Sequence, residues 1–218
     1  SYDLGVRLEG SFDKKKNYGY NLMVGNGTGS KAENNRSKKI YSEVYTKFFN
    51  QKLVVDLYAD YERKKWDSGY HQSTNMVKLF AAHSHMKLTV GAGIYLNGIS
   101  TENPVIPASQ DTISGTSIGF SSFVRGLIVK DKLSFFARYD FVNPYIKNMN
   151  QDLVYEGLHS DLNPNVKESF ITVGVDYSPI KNVHILPNIW YQSFSNKNDN
   201  NNNRDYDLVF RLTFYYSY

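Results

Sequence analysis

Chemistry in this chain would have to come from charged side chains spaced in twos. Arg7, Glu9, Glu43, Lys47, Asp56, Asp60, Glu62, Lys78, Lys87, Arg125, Arg138, Asp140, Asp176, Asp207 and Arg211 all fall on the polar phase of alternating apolar and polar stretches. Residues two apart project from the same side of an extended strand, so these groups form one charged face. Against water, such a face sets the local potential that decides which ions pass, and these residues are candidates for the lining of a pore. Seven are basic and eight acidic, so no strong anion preference follows, despite a formal net charge of +4. Cross-strand ion pairs are also expected, Asp56 with Lys47 and Asp60 or Glu62 with Lys78.

Other chemistries find little support. His83 and His85 are two apart, but no third ligand accompanies them and no metal site is expected. His184 falls on the polar phase beside a turn, while His71 and His159 sit in connections without an acid and a nucleophile around them. Residues 25–29, Gly-Asn-Gly-Thr-Gly, lack the Gly-Lys-Ser/Thr of a phosphate loop, and no helix follows. Neither a cofactor nor an enzymatic role is expected. The absence of cysteine removes disulfide and thiolate chemistry. Scattered rather than striped Lys and Arg argue against nucleic acid as a partner.

Strands must position the charged face. Residues 206–218 show the pattern most clearly, with Tyr206, Leu208, Phe210, Leu212, Phe214, Tyr216 and Tyr218 on one phase and Asp207, Arg211, Thr213 and Ser217 on the other. The same alternation recurs along the chain and predicts about eleven strands. Short connections at residues 13–17, 50–52, 83–85, 130–132 and 179–182 alternate with longer ones at 25–38, 63–74, 98–115, 143–166 and 196–203. Pro187 lies within the tenth strand and predicts a bulge or a lost ladder bond there.

No stretch approaches the roughly 20 apolar residues of a membrane-spanning helix. No Lys, Arg, Asp or Glu interrupts the middle of an apolar phase either. Aromatic residues favour the ends of those phases: Phe12, Tyr18, Phe48 and Tyr177 near short connections, and Tyr61, Phe141, Tyr191 and Tyr206 near long ones. With Tyr216 and Tyr218 they make candidate membrane-interface girdles. The fold class expected is all-β, an antiparallel transmembrane β-barrel with residues 1–218 forming a single domain. A soluble β-sandwich is the competing architecture, but it does not require short and long connections to alternate. If short turns are periplasmic, the first and last strands both run inward and their count is odd. Bacterial single-chain barrels are even, so the chain is expected to be an N-terminally incomplete part of a larger even-stranded barrel.

Several stretches resemble the phosphate-selective porin-like family of Gram-negative, Bacteroidetes-type outer membranes. They are residues 3–10 (Asp-Leu-Gly-Val-Arg-Leu-Glu-Gly), 21–29 (Asn-Leu-Met-Val-Gly-Asn-Gly-Thr-Gly), 137–144 (Ala-Arg-Tyr-Asp-Phe-Val-Asn-Pro) and 171–184 (Ile-Thr-Val-Gly-Val-Asp-Tyr-Ser-Pro-Ile-Lys-Asn-Val-His). The aromatic ending of residues 212–218 resembles a final strand read by the outer-membrane assembly machinery. The resemblance covers the C-terminal part of the family and implies an outer-membrane porin for small hydrophilic solutes or ions, anions such as phosphate among them. The family's selectivity residues lie in an earlier part and none carries over. Expected partners are outer-membrane lipid, both lipopolysaccharide and phospholipid, and a homo-oligomer or envelope-complex subunits. A non-conducting barrel serving such a complex is the alternative.

Overall fold

The computed structural model describes residues 3–29, 37–65, 71–102, 112–147, 166–196 and 206–216. Tyr218, the Asn-rich stretch 197–205 and most of the connections at 30–36, 103–111 and 148–165 lie outside them. Eleven strands run in chain order: β1 (Gly5–Ser11), β2 (Tyr18–Gly25), β3 (Lys39–Phe48), β4 (Leu53–Lys65), β5 (His71–His85), β6 (Leu88–Glu102), β7 (Thr112–Val129), β8 (Leu133–Lys147), β9 (Val166–Tyr177), β10 (Val183–Asn196) and β11 (Tyr206–Tyr216). They form one sheet in which each strand is hydrogen-bonded to its chain neighbours, so β1 and β11 each have a single neighbour in it. One sheet in sequential order is not a sandwich of two. The strands are rich in Val, Ile, Tyr and Phe, whose branched or aromatic side chains suit a pleated surface.

By contacts the chain divides into two compact units. Ser1–Leu79, Tyr95–Ile118 and Pro144–Pro164 form the first; Phe80–Ile94, Gly119–Asn143 and Asn165–Tyr218 form the second. In the first, β1 to β4 pair antiparallel without interruption, for example Leu8 with Leu22, Leu22 with Ser42 and Val44 with Leu57. In the second, β8 to β11 also pair antiparallel, Ala137 facing Val173, Val173 facing Ile189 and Ile189 facing Phe210. The ladder between β9 and β10 skips Leu186 and Pro187 while its register is unchanged. Pro187 thus costs ladder pairing and introduces no bulge, and it keeps its partner Leu212 on β11.

The predicted apolar phase is the exposed face. Val6, Leu8, Leu22, Val24, Ile40, Val44, Leu57, Val77, Leu79, Val90, Ile94, Ile128, Val173, Ile189, Leu208, Phe210, Leu212 and Phe214 are all exposed, Phe210 to 74%. Water does not tolerate so continuous an apolar surface, whereas lipid does.

On each long strand the apolar phase stops short of the strand's end. Beyond Tyr61, β4 presents Arg63 and Lys65; beyond Leu96, β6 presents Gly98 and Ser100; beyond Phe141, β8 presents Asn143; beyond Tyr191, β10 presents Ser193 and Ser195. Approaching from the other direction, β5 presents Ser73 and Asn75 before Val77, β7 presents Ser114 and Thr116 before Ile118, and β9 presents Lys167 and Ser169 before Ile171. The apolar run is about nine residues in most strands, matching the ~9–11 residues of a tilted membrane-crossing strand.

These polar extensions correct the expected connections at 63–74, 98–115 and 143–166, and the turn expected at 83–85 falls at Met86 and Lys87, since β5 runs to His85. A loop predicted over residues 63–74 is mostly strand, because β4 continues to Lys65 and β5 begins at His71. Polar residues on the outer phase read as a loop, yet the backbone keeps its ladder past the apolar band.

At the opposite end the turns are tight and nearly free of glycine. Lys16, Phe49, Asn50, Gln51, Met86, Asp131 and Asn182 take positive φ there. Left-handed turn residues match the twist of the flanking strands, which is why these hairpins close in few residues. Asp13 organises the first of them. Its Oδ1 accepts from the backbone N–H of Asn17 at 2.7 Å and of Tyr18 at 3.0 Å, and its Oδ2 accepts from the Asn17 side chain at 3.0 Å. Desolvation pushes the Asp13 carboxyl up, but these donors and the Lys15 N–H outweigh it and hold the group below its ordinary value of 3.8.

Candidate functional site: the charged face

All fifteen candidate charges sit on strands or at strand ends, on the phase opposite the exposed apolar one. In the first unit the β3/β4 register places Lys39 opposite Glu62, Tyr41 opposite Asp60, Glu43 opposite Tyr58 and Tyr45 opposite Asp56. Acids and tyrosines therefore alternate in a checkerboard. The Tyr58 hydroxyl donates to Asp60 Oδ2 at 2.6 Å, and Lys39 Nζ approaches the same oxygen at 3.1 Å. Glu62 pairs with Lys64 at 3.4 Å, and Asn21 donates to Glu43 Oε2 at 3.1 Å. The Glu43 and Asp56 side chains are hydrogen-bonded to each other. Lys47 lies over the Tyr45 ring and Lys78 over the Tyr58 ring, at 5.2 and 5.5 Å from the centroids. Arg7 and Glu9 form a 2.6 Å pair that is more than half exposed.

Two expected ion pairs are therefore corrected. Asp56 bonds Glu43 rather than Lys47, and Lys78 sits on a tyrosine rather than against Asp60 or Glu62. Tyrosine is much of the reason: its hydroxyl satisfies a carboxylate and its ring face accepts an ammonium, so Tyr58 takes both Asp60 and Lys78, and Tyr45 takes Lys47. Asp56, Asp60 and Glu62 are also buried, at 8%, 8% and 3% exposure.

Just before β1, Asp3 closes the far end of this patch. Its Oδ2 accepts from the Tyr41 hydroxyl at 2.6 Å and from the Gly27 N–H at 2.8 Å. Burial acts to raise the Asp3 carboxyl, but bonds from Tyr41, Gly27, Leu4 and Gly29 hold it below the ordinary value. Gly27 has φ 72° and lies against the Glu62 carboxylate, so a side chain there would meet both limits.

In the second unit Arg138 and Asp140 pair at 2.8 Å, and Asp176 lies between Arg125 at 3.9 Å and His184 Nδ1 at 2.8 Å. The His184–Asp176 contact was not foreseen, although both residues flank the 178–182 turn on the polar phase, which was a usable signal. Arg211 stacks on Trp190 with its guanidinium carbon 3.9 Å from the centroid, and Trp190 meets Phe170 edge-on at 5.4 Å. Lys87 contributes a backbone carbonyl to Leu127, and Asp207 is half-buried. Glycines make room for rings: Gly91 for Phe123, Gly174 for Phe136. His83 and His85 stack with centroids 6.3 Å apart, and no group of three metal-ligating side chains occurs among the described residues.

Of the girdle residues, Phe12, Tyr18, Phe48, Tyr177 and Tyr216 lie at the short-turn end and are exposed. Tyr61, Phe141 and Tyr191 mark the other limit of the apolar band, and Tyr191 stacks on Tyr206 at 5.8 Å. Together these features allow selective contact with ions and water on one face and with lipid on the other.

A two-faced, sequentially ordered antiparallel sheet of this kind is the fold of outer-membrane β-barrel proteins, and solved structures agree. One, the outer-membrane-expressed OmpT of Vibrio cholerae, superposes with a TM-score of 0.63 at 13% identity, covering 90% of this chain and 56% of its own. A second, OmpT folded in vitro and described as an outer membrane protein of Vibrio cholerae, gives 0.64 at 14% identity, covering 89% and 55%. The chain thus spans little more than half the length of these neighbours. No family model and no curated protein matches it. The expectation of no enzymatic role is withdrawn against the likeness to the OmpT structures.

Proposed function

We propose that this chain is the larger part of an outer-membrane porin of a Gram-negative bacterium, a water-filled channel for passive diffusion of small hydrophilic solutes or ions. The observation that carries the reading is the division of the strands into an exposed apolar phase and an opposite phase on which the fifteen charges fall. A wall between lipid and an aqueous lumen requires both. The charged phase then lines the pore, and the short turns lie in the periplasm. Residues 1–218 belong to one barrel domain, whose remaining strands come from further sequence and pair with β1 and β11. Anions such as phosphate are the substrate class that the porin-like resemblance suggests, and the near balance of Lys, Arg, Asp and Glu on the face makes any preference modest.

A second reading has its own support. Asp56, Asp60 and Glu62 are packed and hydrogen-bonded rather than open to water, which suits a silent barrel serving an envelope complex. Planar-bilayer recording of the full-length protein separates the two. Stable single-channel steps, with a reversal potential near zero in a salt gradient, support the porin. A bilayer that takes up the protein and stays silent supports the structural subunit.

A further inference from the structure

Toward the long connections, the lipid-facing phase of β1 to β4 ends in a basic patch that the channel reading does not use. The register sets the outward side chains of these strands in rows. Val6 faces Val24, Val24 faces Ile40 and Ile40 faces Tyr61, and all four are exposed. On β3 and β4 this row is the last apolar one before the polar extensions. The ladders next pair Gly25 with Lys39 and Lys39 with Glu62, on the opposite phase. The next outward positions are therefore Lys38 and Arg63. Lys65 follows on the same phase, and all three cations are exposed.

No acid of these strands shares that phase. The Asp and Glu residues of β1 to β5 are Glu9, Glu43, Asp56, Asp60 and Glu62, and all stand on the charged phase. Cations of the charged phase answer them there: Lys39 pairs with Asp60 at 3.1 Å and Lys64 with Glu62 at 3.4 Å. Within the same unit, the first two positions beyond the apolar run are Gly98 and Ser100 on β6, and Thr116 and Ser114 on β7, none of them charged. Three cations together thus single out β3 and β4. Basic groups bordering a lipid-facing surface edged by a tyrosine attract anionic headgroups, and a guanidinium matches phosphate with paired N–H donors.

We propose that Lys38, Arg63 and Lys65 bind a phosphate group of lipopolysaccharide in the outer leaflet. Arg63 holds the phosphate through its fork of donors, and Lys38 and Lys65 add charge on either side of it. The acyl chains run along Val24, Ile40 and Tyr61, on the same phase as the cations. The proposal rests on the outer-membrane barrel reading, which puts the long connections outside, and it adds the surface that meets the lipid. That orientation selects the lipid, because the outer leaflet is where lipopolysaccharide lies and the short turns face the phospholipid leaflet.

The test folds the full-length protein into phosphatidylcholine vesicles carrying bisphosphorylated lipid A, its dephosphorylated form or phosphatidylglycerol, and counts retained lipid by native mass spectrometry. Wild type is expected to keep the phosphorylated lipid A in preference to the other two. An Arg63→Gln, Lys65→Gln variant should lose that preference by about fivefold per cation, the worth of a basic group at an anionic surface. The control variant Lys130→Gln, Lys132→Gln removes the same charge from a short turn and should keep it. Equal loss in the control, equal retention of the two lipid A forms, equal retention of phosphatidylglycerol, or displacement by inorganic phosphate at matched concentration would each overturn the proposal. Failure of the wild type to enter any of the vesicles would refute the barrel reading and the proposal with it.

Discussion

At the scale of single residues, the polar groups show how few ion pairs the charged face needs. Tyr41 and Tyr58 satisfy Asp3 and Asp60, and tyrosine rings carry Lys47 and Lys78. Two local predictions follow. Asp13 is held below 3.8 by turn N–H groups, so its stabilisation of the first hairpin is present above that value and is lost as pH falls through the lowered folded value. Hydrogen exchange at the Asn17 and Tyr18 amides, corrected for intrinsic rates, should stay protected at pH 5 and quicken in strong acid; Asp13→Asn should abolish the pH dependence. Gly91 gives the second. A Cβ there would run into the Phe123 ring, so Gly91→Ala should cost about 1–3 kcal/mol in denaturant unfolding. Adding Phe123→Ala should remove most of that penalty in a double-mutant cycle, and an additive double mutant would show that the ring is not the obstacle.

Individual strands were largely legible from the sequence, and the reason is the period of two. Leu57, Val90 and Ile189 lie on the apolar phase and are exposed, because a strand offers no choice but to alternate. Illegible were the partners on the other phase, which depend on cross-strand register and on tyrosine's reach, as Asp56 shows by meeting Glu43. The polar ends of β4 and β5 were missed too, since Arg63, Lys65, Ser73 and Asn75 read as loop when pattern is the sole guide. His184 and Asp176 escaped because eight residues and a turn separate them in the chain. The exposed phase makes a prediction of its own. Leu57→Arg should destabilise the folded state in vesicles by about 2–4 kcal/mol, the cost of a basic group near the bilayer midplane. Thr89→Arg, on the opposite phase, should change it by no more than about 0.5 kcal/mol. Equal effects would remove the distinction between the faces.

For the whole molecule, the eleven strands form a sheet whose end strands each hold one neighbour, and the chain spans about 56% of an OmpT structure. An antiparallel ring in which β1 and β11 run the same way needs an odd number of strands between them, and the proposed remainder of the protein supplies these. Above that proposal stands the central claim that one phase of each strand faces lipid and the other water. The chain has no cysteine, so single cysteines carrying spin labels report on it directly. Labels at Val55 and Leu57, at Val54 and Tyr58, and at Arg63 in β4 of the full-length protein in vesicles should divide into three groups. Oxygen dissolved in lipid should relax the first pair, a water-soluble nickel chelate the second, and the chelate again Arg63, beyond the apolar band. Uniform access of the chelate to all five positions would contradict the account.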